Sequence, residues 1–386
     1  MLIARFLAFA AIGLTAAAPV LRSVQREAGP LVEHVAVPDG GLQPQAAIDA
    51  RGTIHLIYYK GEPAAGDLYY VRLPAGARTL SAPIRVNSEA GSAIAAGAVR
   101  GGRIALGRDG WVHVAWNAAR PVVRDGESIT PMWYARLAPG GGVFEPQRAI
   151  GTHTKNLDGG GTVAADANGR VFVVWHAMGD TQGEMHRRLV VAASTDAGAH
   201  FGSDQVLANE HGACSCCGMQ ALVDAAGRLQ VVYRTAGDGV HRDATWITVG
   251  ARGVSSAVTL QPWEWPACPM TNFAIAESRG TLVGAWVVAQ QIYTATLNPE
   301  TRTASAPSAM DGSTPRNHPA IAINRSGDRL FAWIEGANHS RDGSVAWEAR
   351  DASGVRIGAK SAAGVAPPLS LVAPIARPDG SFVLIF

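Results

Sequence analysis

The chain has 386 residues, a formal net charge of +2 and only 17% charged residues. That balance excludes the basic footprint of a nucleic-acid binder, and no dense basic stripe is present. Its 44 glycines, 22 prolines and 47% apolar content describe many short turns around a large core.

Residues 1–18 read as a signal peptide. Arg5 gives a minimal positive region, 6–17 is apolar, and Ala16-Ala17-Ala18 offers small residues for cleavage. The apolar run is short for a membrane span, and no later stretch is long enough to be one. Export to the periplasm or beyond is expected, with no stable membrane span once the signal is cut. Residues 19–30 read as a linker and 31–386 as one domain.

The stretch 31–37 alternates and reads as a strand. A phrase then begins to recur, clearest as Asp166-Ala-Asn-Gly-Arg-Val-Phe-Val-Val-Trp175. Its turn glycine stands at 52, 110, 169, 227, 280, 327 and 380. Six residues after each comes an aromatic: Tyr58, Trp116, Trp175, Tyr233, Trp286, Trp333 and Phe386. The steps of 58, 59, 58, 53, 47 and 53 mean repeated supersecondary units. Each unit opens with an apolar strand (45–48, 162–165), turns at the glycine and runs to the aromatic. A third strand follows at 68–73, 132–137, 189–194, 244–249, 292–297 and 345–350, and a weaker fourth at 84–87 or 204–207. Nothing between them reads as a long amphipathic helix.

Four short antiparallel strands repeated radially describe an all-β fold, a β-propeller. Seven blades are expected; six with an extra hairpin is the alternative. The chain stops on the seventh aromatic, so the strand at 31–37 is expected to close the ring, because an open ring leaves an unpaired sheet edge. The repeated aromatics are expected to pack between neighbouring blades.

One turn carries a signature. Ser194-Thr-Asp-Ala-Gly-Ala-His-Phe201 resembles the Asp box, or BNR repeat, of sialidases and related propellers, with His200 replacing the usual Thr. Asp196 accepts hydrogen bonds from its own loop, Gly198 takes positive φ and Phe201 anchors the next strand. Weaker echoes stand at 139–144 and 351–354. The resemblance implies a sialidase-like propeller over 31–386. It also implies a structural role for Ser194, Asp196, Gly198 and Phe201, on the face away from any active site.

Strand alternation sorts the loops. The glycine turns and the Asp box fall on one face. The links from fourth to first strands, and from second to third, fall on the other and are longer. Function favours such loops on a rigid scaffold, so that mouth is the candidate site for a small-molecule or glycan ligand. All four cysteines lie there, in Cys214-Ser-Cys216-Cys217 and Cys268-Pro. Two readings stand. In the first they are disulfides, the easiest scheme being Cys214–Cys217 with Cys216–Cys268 stapling two blades. In the second, they form a redox or soft-metal site for copper or another soft ion, with Met219, Met270, His211, His241 and His176 as further ligands. The pattern Cys-x-Cys-Cys, then Cys-Pro one unit later, resembles exported bacterial sialidase-like propellers, as does 233–242. That resemblance implies the fold and the motif and supplies no reaction.

A sialidase needs three arginines converging on a carboxylate, a tyrosine nucleophile with a glutamate, and an aspartate acid/base. The Phe/Tyr-Arg-Ile-Pro sequence of that family is absent near 43–48. Arg234, Arg242 and Arg316 are the candidate contacts to an acidic ligand, with Arg124, Arg187 and Arg188 on the same face. Asn156, Asp125, Asp158, Asp180 and Glu184 lie in comparable loops, as do His153, His186 and His318. None matches the family's catalytic set residue by residue. Three functions therefore remain: a ligand-binding or redox/metal propeller, an exo-sialidase-type hydrolase, and a structural or protein-binding propeller. A monomer is expected.

Overall fold

The computed structural model describes residues 22–25, 30, 32–97, 99–124, 126–151, 157–178, 181, 183–208, 211–251, 253–336 and 341–386; at 22–25, 124, 157 and 158 it describes the backbone alone. The stretch 1–18, read above as a signal peptide, lies outside them.

Seven small sheets are arranged radially. Blade 1 is built from Leu42–Ile48, Ile54–Glu62, Ala65–Leu73 and Ile84–Arg85. Blade 2 uses Arg103–Leu106, Val112–Asn117, Met132–Leu137 and Arg148–Ile150. Blade 3 uses Leu157–Ala165, Val171–Ala177, Arg188–Ser194 and Gln205–Ala208. Blade 4 uses Gln220–Val223, Leu229–Arg234, Ala244–Gly250 and Val258–Gln261. Blade 5 begins with Phe273–Ser278, Thr281–Val288 and Gln291–Asn298. Blade 6 is Arg316–Ile323, Arg329–Glu335, Gly343–Arg350 and Arg356–Ala366.

Blade 7 holds the closure. Ala373–Ala376 and Phe382–Ile385 come from the C-terminus, and Val32–Val35 pairs alongside Phe382–Ile385. The pairing is parallel, which the alternation of the other blades does not suggest. Arg22–Gln25, inside the stretch read as a linker, adds a fourth, antiparallel strand. Around the hub the first strand of each blade touches those of both neighbours, and the seventh touches the first, so the ring is complete.

The phrase has a simple physical basis. All seven turn glycines sit at φ between +77° and +91°, a region where a Cβ is penalised. The aromatics then fill the seven interfaces. Tyr58 packs with blade 7, Trp116 with blade 1, Trp175 with blade 2 and Tyr233 with blade 3. Trp286, Trp333 and Phe386 repeat this against blades 4, 5 and 6. Six of the seven are buried, and each contributes about 1.5–3 kcal/mol as a buried large side chain.

Candidate functional site

The mouth is built by the loops that leave fourth strands and those that join second to third strands. Its cysteine loop spans blades 3 and 4. Cys214 N–H donates to the Arg234 carbonyl at the end of blade 4's second strand (2.9 Å), and Cys217 N–H turns back to the Cys214 carbonyl (3.1 Å). Gly218 N–H reaches the Thr271 carbonyl, before blade 5, at 2.9 Å. A Cβ on Gly218 would sit 2.2 Å from the Asn272 side chain, so only glycine lets the two loops close up.

These constraints gather the four sulfurs. Cys216 and Cys268 are disulfide-bonded, tying the loop before blade 4 to the loop before blade 5. Cys214 and Cys217 are free thiols and fully buried. Cys214 Sγ lies 3.2 Å from Cys216 Sγ and 3.4 Å from Cys217 Sγ. The pair beside the staple is therefore a dithiol, and half of the easiest pairing scheme is formed. A carboxylate oxygen of Glu184 lies within 4.8 Å of the Cys216 and Cys268 sulfurs.

Arg234 lies beneath this cluster and is fully buried. Its Nη1 donates to the Arg242 carbonyl and its Nη2 to the Val287 carbonyl (2.6 Å), while its plane stacks between Trp263 and Phe273 at 5.0 and 5.1 Å. Burial pushes the Cys217 thiol up, but the Cys214 thiol donating to it, the Arg234 charge and Thr271 outweigh this and bring it down. The same Cys214–Cys217 hydrogen bond, with burial, pushes Cys214 up. One hydrogen bond therefore couples the two thiols, pushing Cys214 up and Cys217 down, and they titrate as a pair.

The remaining sequence-derived candidates scatter. Arg242 is ion-paired with Glu184 (2.6 Å) and Arg316 with Glu335 (3.3 Å), so both are internal braces, as is Arg234. His211 and His241 line a separate cleft of about 420 Å³ with Asp238 and Asp243. His176 is fully buried, and burial above all holds it down to about 3. Among the described residues no histidine nitrogen joins either sulfur group. Met219 lines the central channel, and the Met270 carbonyl accepts from Asn317. With Cys216 and Cys268 spent in a bond, two thiols remain as soft donors. Asp125, Asn156, Asp180 and His153 lie outside the described residues, as do the side chains of Arg124 and Asp158.

The turn Ser194–Phe201 is closed by its own side chains. Asp196 accepts the backbone N–H of His200 at 2.9 Å, and the Ser194 hydroxyl donates to it at 2.7 Å. Ala197 N–H donates to the Gly169 carbonyl (2.8 Å), which places the turn on the glycine-turn face, away from the cysteines.

A residue that sequence reasoning passed over stands at the hub. Six blades line a central cavity of about 120 Å³. Among the described residues its polar wall is Gln45, Arg103, Gln220, Asn272 and His318, with one cation and no carboxylate. Arg103 is 5% exposed; Nη1 donates to the Gly102 carbonyl (3.2 Å) and its Nε has no partner. Burial alone lowers it to about 10, so it stays charged at neutral pH. The Asn272 side-chain amide lies 3.1 Å from His318 Nδ1. Backbone strain collects around this hub: Gln43, Met270 and His318 have φ of +53°, +48° and +56°. Bulges interrupt the first strands of blades 1 and 6 at Leu42/Gln45 and Asn317/Ala320. Such strain and bulges gather at functional sites. One arginine and no tyrosine lines the cavity, so the three-arginine, Tyr–Glu arrangement of a sialidase is not assembled among its walls.

The fold and the hub define a seven-bladed β-propeller with a polar, cationic channel mouth. No family model and no curated protein matches the sequence. Solved structures do. A protein of unknown function from Dyadobacter fermentans is 15% identical over 91% of this chain and 99% of its own, with a TM-score of 0.50. A polysaccharide lyase, an ulvan lyase bound to -[GlcA(1-4)Rha3S]-, is 11% identical over 88% of each chain, with a TM-score of 0.52. A Hadza microbial sialidase is 12% identical over 81% of this chain and 69% of its own, with a TM-score of 0.49. The likeness to the first two is one of fold.

Proposed function

We propose that this chain is an exported propeller that binds an anionic ligand, of the acidic-glycan class, in its channel mouth. Arg103 carries the reading. A guanidinium taken out of water without a counter-charge costs several kcal/mol, a cost that a bound carboxylate or sulfate offsets. Arginine also presents a fork that matches a planar carboxylate. Gln45, Gln220 and His318 line the cavity around it and supply hydrogen-bonding groups. The cavity of about 120 Å³ is smaller than the roughly 300–1,000 Å³ of a pocket that engulfs a drug-sized ligand. It therefore receives one charged terminal group, not a length of chain. The ulvan lyase, which shares the fold, is bound to -[GlcA(1-4)Rha3S]-. The disulfide Cys216–Cys268 fits an oxidising compartment, in line with the signal peptide read at 1–18.

Calorimetric titration with glucuronate and with glucose tests this. Binding of the acid only, weakened at least tenfold in R103Q and by added salt, is the expected result. Equal binding of acid and neutral sugar, or an unchanged R103Q, would sink the reading.

A further inference from the structure

The buried dithiol and the exposed end of the disulfide form one continuous row of sulfurs. Cys217 and Cys214 are fully buried, Cys216 is half-buried and Cys268 is exposed. Cys214 is the middle member, 3.4 Å from Cys217 and 3.2 Å from Cys216. No external reagent reaches the inner pair directly. A thiolate on Cys214, however, already touches the sulfur it would attack. Disulfides exchange by such attack, through a mixed intermediate.

We propose that these four cysteines are a thiol–disulfide relay, which carries an electron pair from the buried Cys214/Cys217 pair to Cys268 at the surface. In the first step Cys214 gives its proton to water and attacks Cys216. The Cys214–Cys216 bond forms and the Cys216–Cys268 bond breaks. The electron pair leaves on Cys268, which takes a proton from water. In the second step Cys217 gives its proton to water and attacks Cys214. The Cys214–Cys217 bond forms, the Cys214–Cys216 bond breaks, and Cys216 leaves as a thiolate and is protonated. No electrons are gained or lost: one dithiol is oxidised and one disulfide reduced. The Cys214–Cys216 ring is small and strained, so it is a passing intermediate. The new Cys216/Cys268 dithiol then reduces a disulfide on an external protein, ending as a disulfide itself. Arg234 holds the inner end of the row electropositive through its fixed place beneath Cys217. The relay does not depend on what the channel binds.

The full chain is purified without added reductant in the form that carries two thiols and one disulfide. It is then left under native conditions with N-ethylmaleimide and no reductant, and labelled peptides are mapped. Cys268 is expected to acquire label in the wild type, and at least tenfold more slowly in C214S. Label confined to Cys214 and Cys217, or equal labelling of Cys268 in C214S, would overturn the relay. So would one copper or zinc per chain held by Cys214 and Cys217. Should C214S fail to fold, the wild-type label at Cys268 decides alone.

Discussion

His113 Nδ1 lies 2.7 Å from the hydroxyl of Tyr134 in blade 2. The neighbouring blade repeats the pair: His55 Nδ1 lies 2.6 Å from the hydroxyl of Tyr70. Each histidine stands three residues after a turn glycine, so the repeat has copied a polar tie as well as a turn. The ties seal both histidines inside the blades.

Acid should therefore unfold this propeller early. Burial, then the charges of Arg136 and Arg148, lowers His113 from 6.5 to about 3, and His176 is lowered to about 3 as well. Below about 6.5 the unfolded chain takes up protons that the folded chain refuses. Stability is thus unaffected by these groups above 6.5 and falls as pH drops from 6.5 toward 3. Each group costs about 1.4 kcal/mol per pH unit in that window. Urea unfolding between pH 7.5 and 4.5 should show a slope shallower by that amount in H113Q. Parallel curves would mean that His113 is not a refused proton.

The Asp196 turn should matter for stability and not for binding. Its carboxylate is held well below the usual range by the His200 N–H, the His200 ring and the Ser194 hydroxyl. Arg136 of blade 2 donates to the Ala197 carbonyl at 2.8 Å and Arg148 to the Ala199 carbonyl at 2.8 Å, so the turn also ties blade 3 to blade 2. D196A should lose about 1–2 kcal/mol of unfolding free energy through these hydrogen bonds. Glucuronate affinity should stay the same. A large change in affinity with an unchanged melting temperature would reverse the assignment of faces.

The repeat was legible because its physics is local. A glycine at φ near +80° and an aromatic six residues on leave the same mark in each unit, whatever lies across the interface. The cysteine loops were legible as neighbours for the same reason, since blade order fixes which loops meet. What the sequence hides is pairing. Arg234, Arg242, Arg316 and Arg103 look alike as loop or strand-end arginines. Three of them meet carbonyls or carboxylates elsewhere in the chain, and Arg103 meets no carboxylate among the described residues. Which two of four sulfurs bond is likewise settled by a few tenths of a nanometre across two blades. The parallel docking of Val32–Val35 carries no local signal either, because strand pattern says which face is buried and not which direction a partner runs.

The Cys216–Cys268 bond closes a loop with a sequence separation of 52 residues. Cutting it by C268S should cost about 2–4 kcal/mol, the range for bridges of this span. Dithiothreitol should lower the melting temperature of the wild type and leave C268S unmoved. An equal shift in both proteins would place the reducible bond elsewhere.

Ring closure yields the sharpest stability test. Val32 and Val35 are buried to within 1% of complete, against Phe382, Leu384 and their neighbours. Phe386 N–H donates to the Val35 carbonyl at 3.2 Å, and Val37 N–H to the Phe386 carbonyl at 3.0 Å. Deleting residues 1–37 removes three buried valines, Val32, Val35 and Val37, worth about 4.5–9 kcal/mol together. It also strips one side of Phe382–Ile385, leaving an unpaired edge near a hydrophobic interface. Such edges recruit other chains. The truncated protein should melt well below the full chain and run as higher oligomers or aggregate in size-exclusion chromatography with light scattering. A monomer with an unchanged melting temperature would mean that the last blade closes without this strand.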